Sequence, residues 1–149
     1  MTFSVKPTIN VGDDSLEILN SLDVNKIFFV TDPFVVESRM IDQVTRLLDR
    51  NISYDIFSEI KPDPSQELIE EGKKALKASN PDLICAIGGG SAIDATKAII
   101  YDIYNEEKTK KTFVAIPTTA GTGSESTNFA VVTVGNDKKV LIDDIMLPY

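Results

Sequence analysis

Short apolar runs alternate with longer segments in which apolar positions recur every three or four residues, from Lys26 to Ile116. The runs Lys26–Val30 (KIFFV), 52–57 (ISYDIF), Leu83–Ile87 and Thr112–Ile116 read as strands. The apolar character of the first, third and fourth of these suits strands buried on both faces. Between them, Val36, Met40, Val44, Leu47 and Leu48 recur at helical spacing and predict one helix after Pro33. Leu68, Ile69, Ala75 and Leu76 predict a second, capped by Asp63 with Pro64 at its first position and ending near Asn80-Pro81. Ile93, Ile99, Ile100 and Ile103 predict a third, from Ala92 to about Tyr104. Residues 5–11 suggest a short edge strand whose pairing Pro7 limits. Asp13 or Asp14 can cap a helix carrying Leu16, Leu19 and Leu22. The charged stretch 105–111 reads as a solvated loop, and Gly135-Asn136-Asp137 between two β-branched runs predicts a hairpin. Strand and helix in alternation indicate an α/β fold, a parallel sheet flanked by helices with right-handed crossovers, followed by a C-terminal β-hairpin.

In such sheets ligands bind at the carboxyl ends of the strands. Three polar turns fall at that edge: Thr31-Asp32, Gly88 to Ser91, and Thr118 to Ser124. The middle one follows a buried strand with three consecutive glycines, Gly88, Gly89 and Gly90. Ser91 and Asp94 then stand at capping-box spacing, so a helix is expected to begin at Ala92. Strand, glycine turn and helix N-terminus together make an anion site: the missing Cβ atoms let a phosphate approach, and free N–H groups and the helix dipole favour it. A tight structural turn is the alternative, though one or two glycines would suffice for it. The motif is neither the G-x-G-x-x-G fingerprint nor a P-loop. Asp32 can accept from ribose hydroxyls and repel a 2′-phosphate, or simply cap the helix that begins at Pro33. Thr118, Thr119 and Thr122 supply hydroxyls, Lys139 is a candidate phosphate or ribose contact or a solvated edge charge, and Lys97 pairs by default with Asp94 one turn away.

Composition narrows the chemistry. A net charge of −8 over 149 residues argues against nucleic acid or an anionic membrane as partner, because both need a basic face. No apolar run approaches membrane-spanning length. The single cysteine, Cys85, lies in a buried strand run and reads as a core residue; with no disulfide possible within the chain, a reducing cytoplasm fits. There is no histidine, so neither a His-type metal site nor a Ser-His-Asp triad can form from this sequence.

The segment Gly88-Gly89-Gly90-Ser91 with Asp94 and Lys97, followed by PTTAGTGSE at 117–125, resembles the iron-dependent (group III) alcohol dehydrogenase family. The resemblance spans essentially the whole chain, from the Gly12 turn to Leu147-Pro148. The glycine segment is similar also to glycerol dehydrogenases and dehydroquinate synthases; the 117–125 segment points to the alcohol dehydrogenases. What the resemblance implies is a Rossmann-like N-terminal domain that binds NAD, joined in the family to an all-helical domain, with the active site between them. By position it implies that Asp32 holds the adenosine ribose, that Gly89, Gly90 and Ser91 hold the pyrophosphate, and that Gly88 belongs to the same cofactor-binding turn. Asp94 would lie near the nicotinamide ribose. Thr118 and Thr119 would line the adenine and phosphate side, Thr122 the nicotinamide side, and Val131 and Lys139 would complete the groove.

The family holds its divalent metal, usually Fe(II) and sometimes Zn(II), with one Asp and three His beyond the segment matching Leu147-Pro148. The expectation is therefore that residues 1–149 are the cofactor half, with the helical metal-binding domain absent, no metal ligand and no catalytic residue of their own. The full protein would interconvert alcohols and aldehydes or ketones by hydride transfer, and this chain alone would not turn over. The alternatives are a non-catalytic nucleotide-binding or assembly module, or a fragment of a sugar-phosphate cyclase or glycerol dehydrogenase relative. An open sheet edge, and the family's habit, imply a homo-oligomer.

Overall fold

In the computed structural model, which describes residues 4–149, the four runs read as strands are β1 (Lys26–Thr31), β2 (Ser53–Phe57), β3 (Leu83–Gly88) and β4 (Thr112–Pro117). They form one parallel sheet in the order β2-β1-β3-β4. Alternation sorts their side chains to two cores. Phe28, Val30, Ile84, Ala86 and Phe113 point to one face, and Ile27, Phe29, Leu83, Cys85 and Ile87 to the other. Both faces are covered, which is why β3 is buried along its whole length.

The longest helix, α5 (Gly90–Glu107), lies against the first face beside α4 (Gln66–Ser79). Its Ile93, Ile99, Ile100 and Ile103 are buried as the spacing predicts. The hairpin forms as expected from β5 (Phe129–Val134) and β6 (Asp137–Ile142), antiparallel, turning at Gly135-Asn136. Its Ala130 and Val132 pack on the same core as α5. The other face is covered by α1 (Ile18–Ser21), α2 (Pro33–Glu37) and α3 (Met40–Thr45).

Several boundaries differ from the sequence reading. The helix after Pro33 is two helices, because Arg39 takes a left-handed conformation at φ 60° and turns the chain. Leu16 falls in a 3-10 turn ahead of the short α1, and the Asp14 side chain makes no cap. Ser65, not Asp63, caps α4; its hydroxyl accepts from Leu68 N, while Pro64 offers its carbonyl to Thr133 N. Helix α5 runs to Glu107, held by Glu106 to Lys73 and Lys77 on α4. Residues 5–11 form no strand: Thr8 N–H makes a single bond, to the Tyr149 carbonyl, and Pro7 has no N–H to give. No helix among the described residues is long and apolar enough to cross a membrane.

Candidate functional site

The carboxyl ends of the strands are tied to one another, and that fixes the edge. The buried Thr31 hydroxyl donates to the Ile87 carbonyl at 2.6 Å, joining β1 to β3. Thr118 N–H donates to the Gly88 carbonyl at 2.9 Å, joining the loop after β4 to the end of β3. Ile60 N–H donates to the Thr31 carbonyl, bringing the loop after β2 to the same place. The three polar turns therefore converge, with this fourth loop, on one groove of about 630 Å³. Asp32, Gly89, Gly90, Ser91, Thr118 and Thr119 line it.

Gly88 leaves the strand at φ +148°, where a side chain is strained, and a Cβ there would stand 2.8 Å from that of Ala92. Gly90 opens α5 under the loop: a Cβ on it would meet Thr122 Cγ2 at 2.7 Å. A Cβ on Gly89 would lie 3.1 Å from Thr119 Oγ1. Ala92, Thr119 and Thr122 thus close on the three glycines too tightly for a Cβ, at the N-terminus of an 18-residue helix with no side-chain cap. This geometry suits an anion held by backbone N–H groups.

The start of α5 corrects one expectation. The helix begins at Gly90 with Gly89 as its cap, so Ser91 sits inside the first turn and no capping box forms. Asp94 is used elsewhere: one carboxylate oxygen accepts from the Ser124 hydroxyl at 2.5 Å, the other from Val131 N–H at 3.0 Å. The Lys97–Asp94 pair is likewise absent. Lys97 is fully buried, and its ammonium donates among Ser124, Thr127 and Phe129 on the loop and hairpin. Burial pulls its pKa down to about 8 against the attraction of Asp94 and Glu125.

Asp32 does cap α2, accepting from Val35 N–H through Oδ1 at 3.0 Å with Pro33 at the first position. Its Oδ2 lies 3.3 Å from where a Cβ on Gly88 would stand, and the residue lines the groove. Val131 N–H donates to Asp94, and neither residue is among those lining the groove. Lys139 is exposed on β6, opposite Val132, and is not among the groove's lining residues.

Sequence reasoning missed the loop after β2. Ile60, Lys61 and Pro62 line the groove, as do Phe34 and Met40, and Lys61 is the only cation among the described lining residues. The signal was available, since this loop also follows a strand's carboxyl end. Phe34 is a large exposed apolar side chain at the groove. Cys85 is buried in β3 and its thiol pKa is pushed up by burial. No group of three or more His, Cys, Asp or Glu side chains among the described residues forms a metal-ligand cluster.

The family model described as iron-containing alcohol dehydrogenase matches residues 7–149. The 1-propanol dehydrogenase PduQ of Salmonella typhimurium is 36% identical over 132 residues, covering 89% of this chain and 36% of that protein. The chain thus spans about a third of that relative's length. An iron-containing alcohol dehydrogenase from Thermococcus thioreducens superposes with a TM-score of 0.88 at 24% identity, over 99% of this chain and 45% of that one. A sulfoacetaldehyde reductase from Bifidobacterium kashiwanohense, solved in complex with NAD+, gives a TM-score of 0.86 at 24% identity, over 99% and 44% respectively. At that identity the two structures speak for the fold.

Proposed function

The chain belongs to the family of iron-containing alcohol dehydrogenases, and from that premise we propose that residues 1–149 are the NAD-binding domain of an oxidoreductase. The full reaction is hydride transfer between an alcohol and an aldehyde or ketone. The observation that carries the reading is the uncapped glycine start of α5, Gly89 and Gly90, lining one groove with Asp32. NAD supplies the hydride acceptor; the chain's residues bind and orient it.

In this reading the N–H groups of the first turn of α5 hold the diphosphate, and the helix dipole favours its charge. Ser91, Thr118 and Thr119 add hydroxyl donors along the same wall. Asp32 keeps one oxygen in its helix cap and offers the other to the adenosine ribose, which favours NAD over a 2′-phosphorylated cofactor. Asp94 and Val131 serve by holding the loop and hairpin against α5, and Thr122 closes over Gly90. The bound sulfoacetaldehyde reductase lends support by fold alone.

The metal is a different matter. The sequence contains no histidine, and the described residues hold no carboxylate or thiol cluster, so the donors present do not fit a divalent ion. No step is assigned to it here. We place metal chemistry outside residues 1–149 and expect this chain to bind cofactor without oxidising alcohol. The same lack of donors favours a second reading, a nucleotide-binding module without turnover. Robust Fe(II)-dependent oxidation of 1-propanol by the 149-residue chain would contradict both. A cytoplasmic setting fits the one buried cysteine.

NADH fluorescence titration tests the assignment. Gly89→Val and Asp32→Ala should each weaken binding, and unchanged affinity in both would remove it.

A further inference from the structure

Helix α5 carries a buried cation that the cofactor contacts do not use. Lys97 is fully buried, and its ammonium meets five oxygens: the Ser124 carbonyl and, at 3.2 Å, its hydroxyl; the Thr127 carbonyl at 2.8 Å and hydroxyl at 3.1 Å; and the Phe129 carbonyl at 3.0 Å. Three carbonyls and two hydroxyls around one positive charge resemble the shell of a bound alkali ion. The Phe129 ring lies 6.0 Å from the same ammonium. Asp94 and Glu125 are the acidic groups that act on it.

Resting on the cofactor reading above, we infer that Lys97 is a positioning residue for the groove, its tethered ammonium fixing the 118–128 loop at the height above α5 that a diphosphate requires. The loop is exposed from Pro117 to Thr122 and has no strand or α-helix of its own. At its near end it is held by Thr118 N–H on Gly88. Its far end is held to α5 by Lys97, and by Asp94 through the Ser124 hydroxyl. Ser124 joins the two, donating to Asp94 while accepting from Lys97. Asp94 and Lys97 share one turn of α5, about 6 and 10 Å along the axis from Gly90 at 1.5 Å per residue. The same rigid rod thus carries the anion-binding end and the anchor of the opposite wall. Removing the ammonium leaves converging carbonyl dipoles with no donor, and they must part.

The test is Lys97→Ala, with hydrogen exchange and NADH affinity measured in sodium chloride and in methylammonium chloride at equal ionic strength. Exchange of the 119–127 amides should quicken relative to those of β1, and NADH should bind about tenfold more weakly, the scale of one lost charge-assisted contact. Methylammonium should restore part of both effects and leave wild type unchanged. Loss of affinity without rescue, or loop exchange unchanged from wild type, would overturn the inference, because loss of the aliphatic stem alone would then explain it. If Lys97→Ala does not fold, Thr127→Val removes one acceptor while keeping the charge. It should quicken loop exchange and weaken NADH about threefold, and no change in either would count equally against. The exchange arm needs no cofactor. A wild-type chain that fails to bind NADH therefore defeats the functional reading alone.

Discussion

Thr122 lies so close over Gly90 that a Cβ on the glycine would stand 2.7 Å from the threonine Cγ2. That contact sets how closely the loop after β4 lies on the first turn of α5. Gly90→Val would therefore drive carbon into Thr122 and push the loop away from the first turn of α5. Helix propensity costs little here, since the position is already helical. The expected outcome is a folded protein whose NADH affinity falls by more than about tenfold, as expected when several backbone contacts to the diphosphate are lost together. Circular dichroism and a fluorescence titration check both halves.

Asp32 divides its carboxylate between a cap and the groove. Asp32→Ala should lose about 1 kcal/mol of stability through the cap. It should also weaken NADH and improve NADPH, because the repulsion of a 2′-phosphate goes with the charge. Paired titrations of the two cofactors measure this. An unchanged NADH-to-NADPH ratio would leave Asp32 as a cap only.

How much of this could be read from residues alone follows the range of the contacts. Strands β1 and β3 were legible because burial on both faces leaves an unbroken apolar run, whereas the edge strand β2 is exposed at four of its five residues. The three polar turns were legible because a parallel sheet places all strand ends on one side. The partners of Asp94 and Lys97 were not, since Ser124 and Val131 lie 30 and 37 residues from Asp94. Local spacing offered a capping box and an ion pair, and tertiary contact displaced both. The break at Arg39 was hidden for a similar reason: helical periodicity continues across a left-handed residue that only the packing of α2 and α3 demands.

The clamp between α4 and α5 gives a pH signature. Hydrogen bonds from Lys73 and then Lys77 hold the Glu106 carboxyl down to about 2 from its ordinary 4.5. The folded state therefore binds this proton less readily than the unfolded chain. Its stabilising contribution is full above about 4.5 and is lost as pH falls through about 2. Denaturant unfolding at intervals across that window should show a steeper acid decline in wild type than in Glu106→Gln. Parallel curves would contradict it.

Both outer strands keep an open edge. Among the described residues β2 pairs only with β1, its Tyr54 and Ile56 exposed, while β4 pairs with β3 and otherwise receives one bond, from Tyr149 N–H to the Phe113 carbonyl. Free edges invite pairing with another copy. Light scattering should show a concentration-dependent rise above monomer mass, and a clean monomer at high concentration would count against self-association.

The most direct test maps NADH onto the backbone amides by heteronuclear NMR of the 149-residue chain. The account predicts the largest shifts at Gly89 to Ala92, with a second set at Thr118 to Thr122 and beside Asp32. A cavity of about 450 Å³ reaches Glu125 and Ser126 of the loop on one side; its far wall, Ile9 and Leu19, serves as the internal control and should stay silent. Shifts confined to that cavity, or none at the glycine turn under saturating NADH, would contradict the central claim.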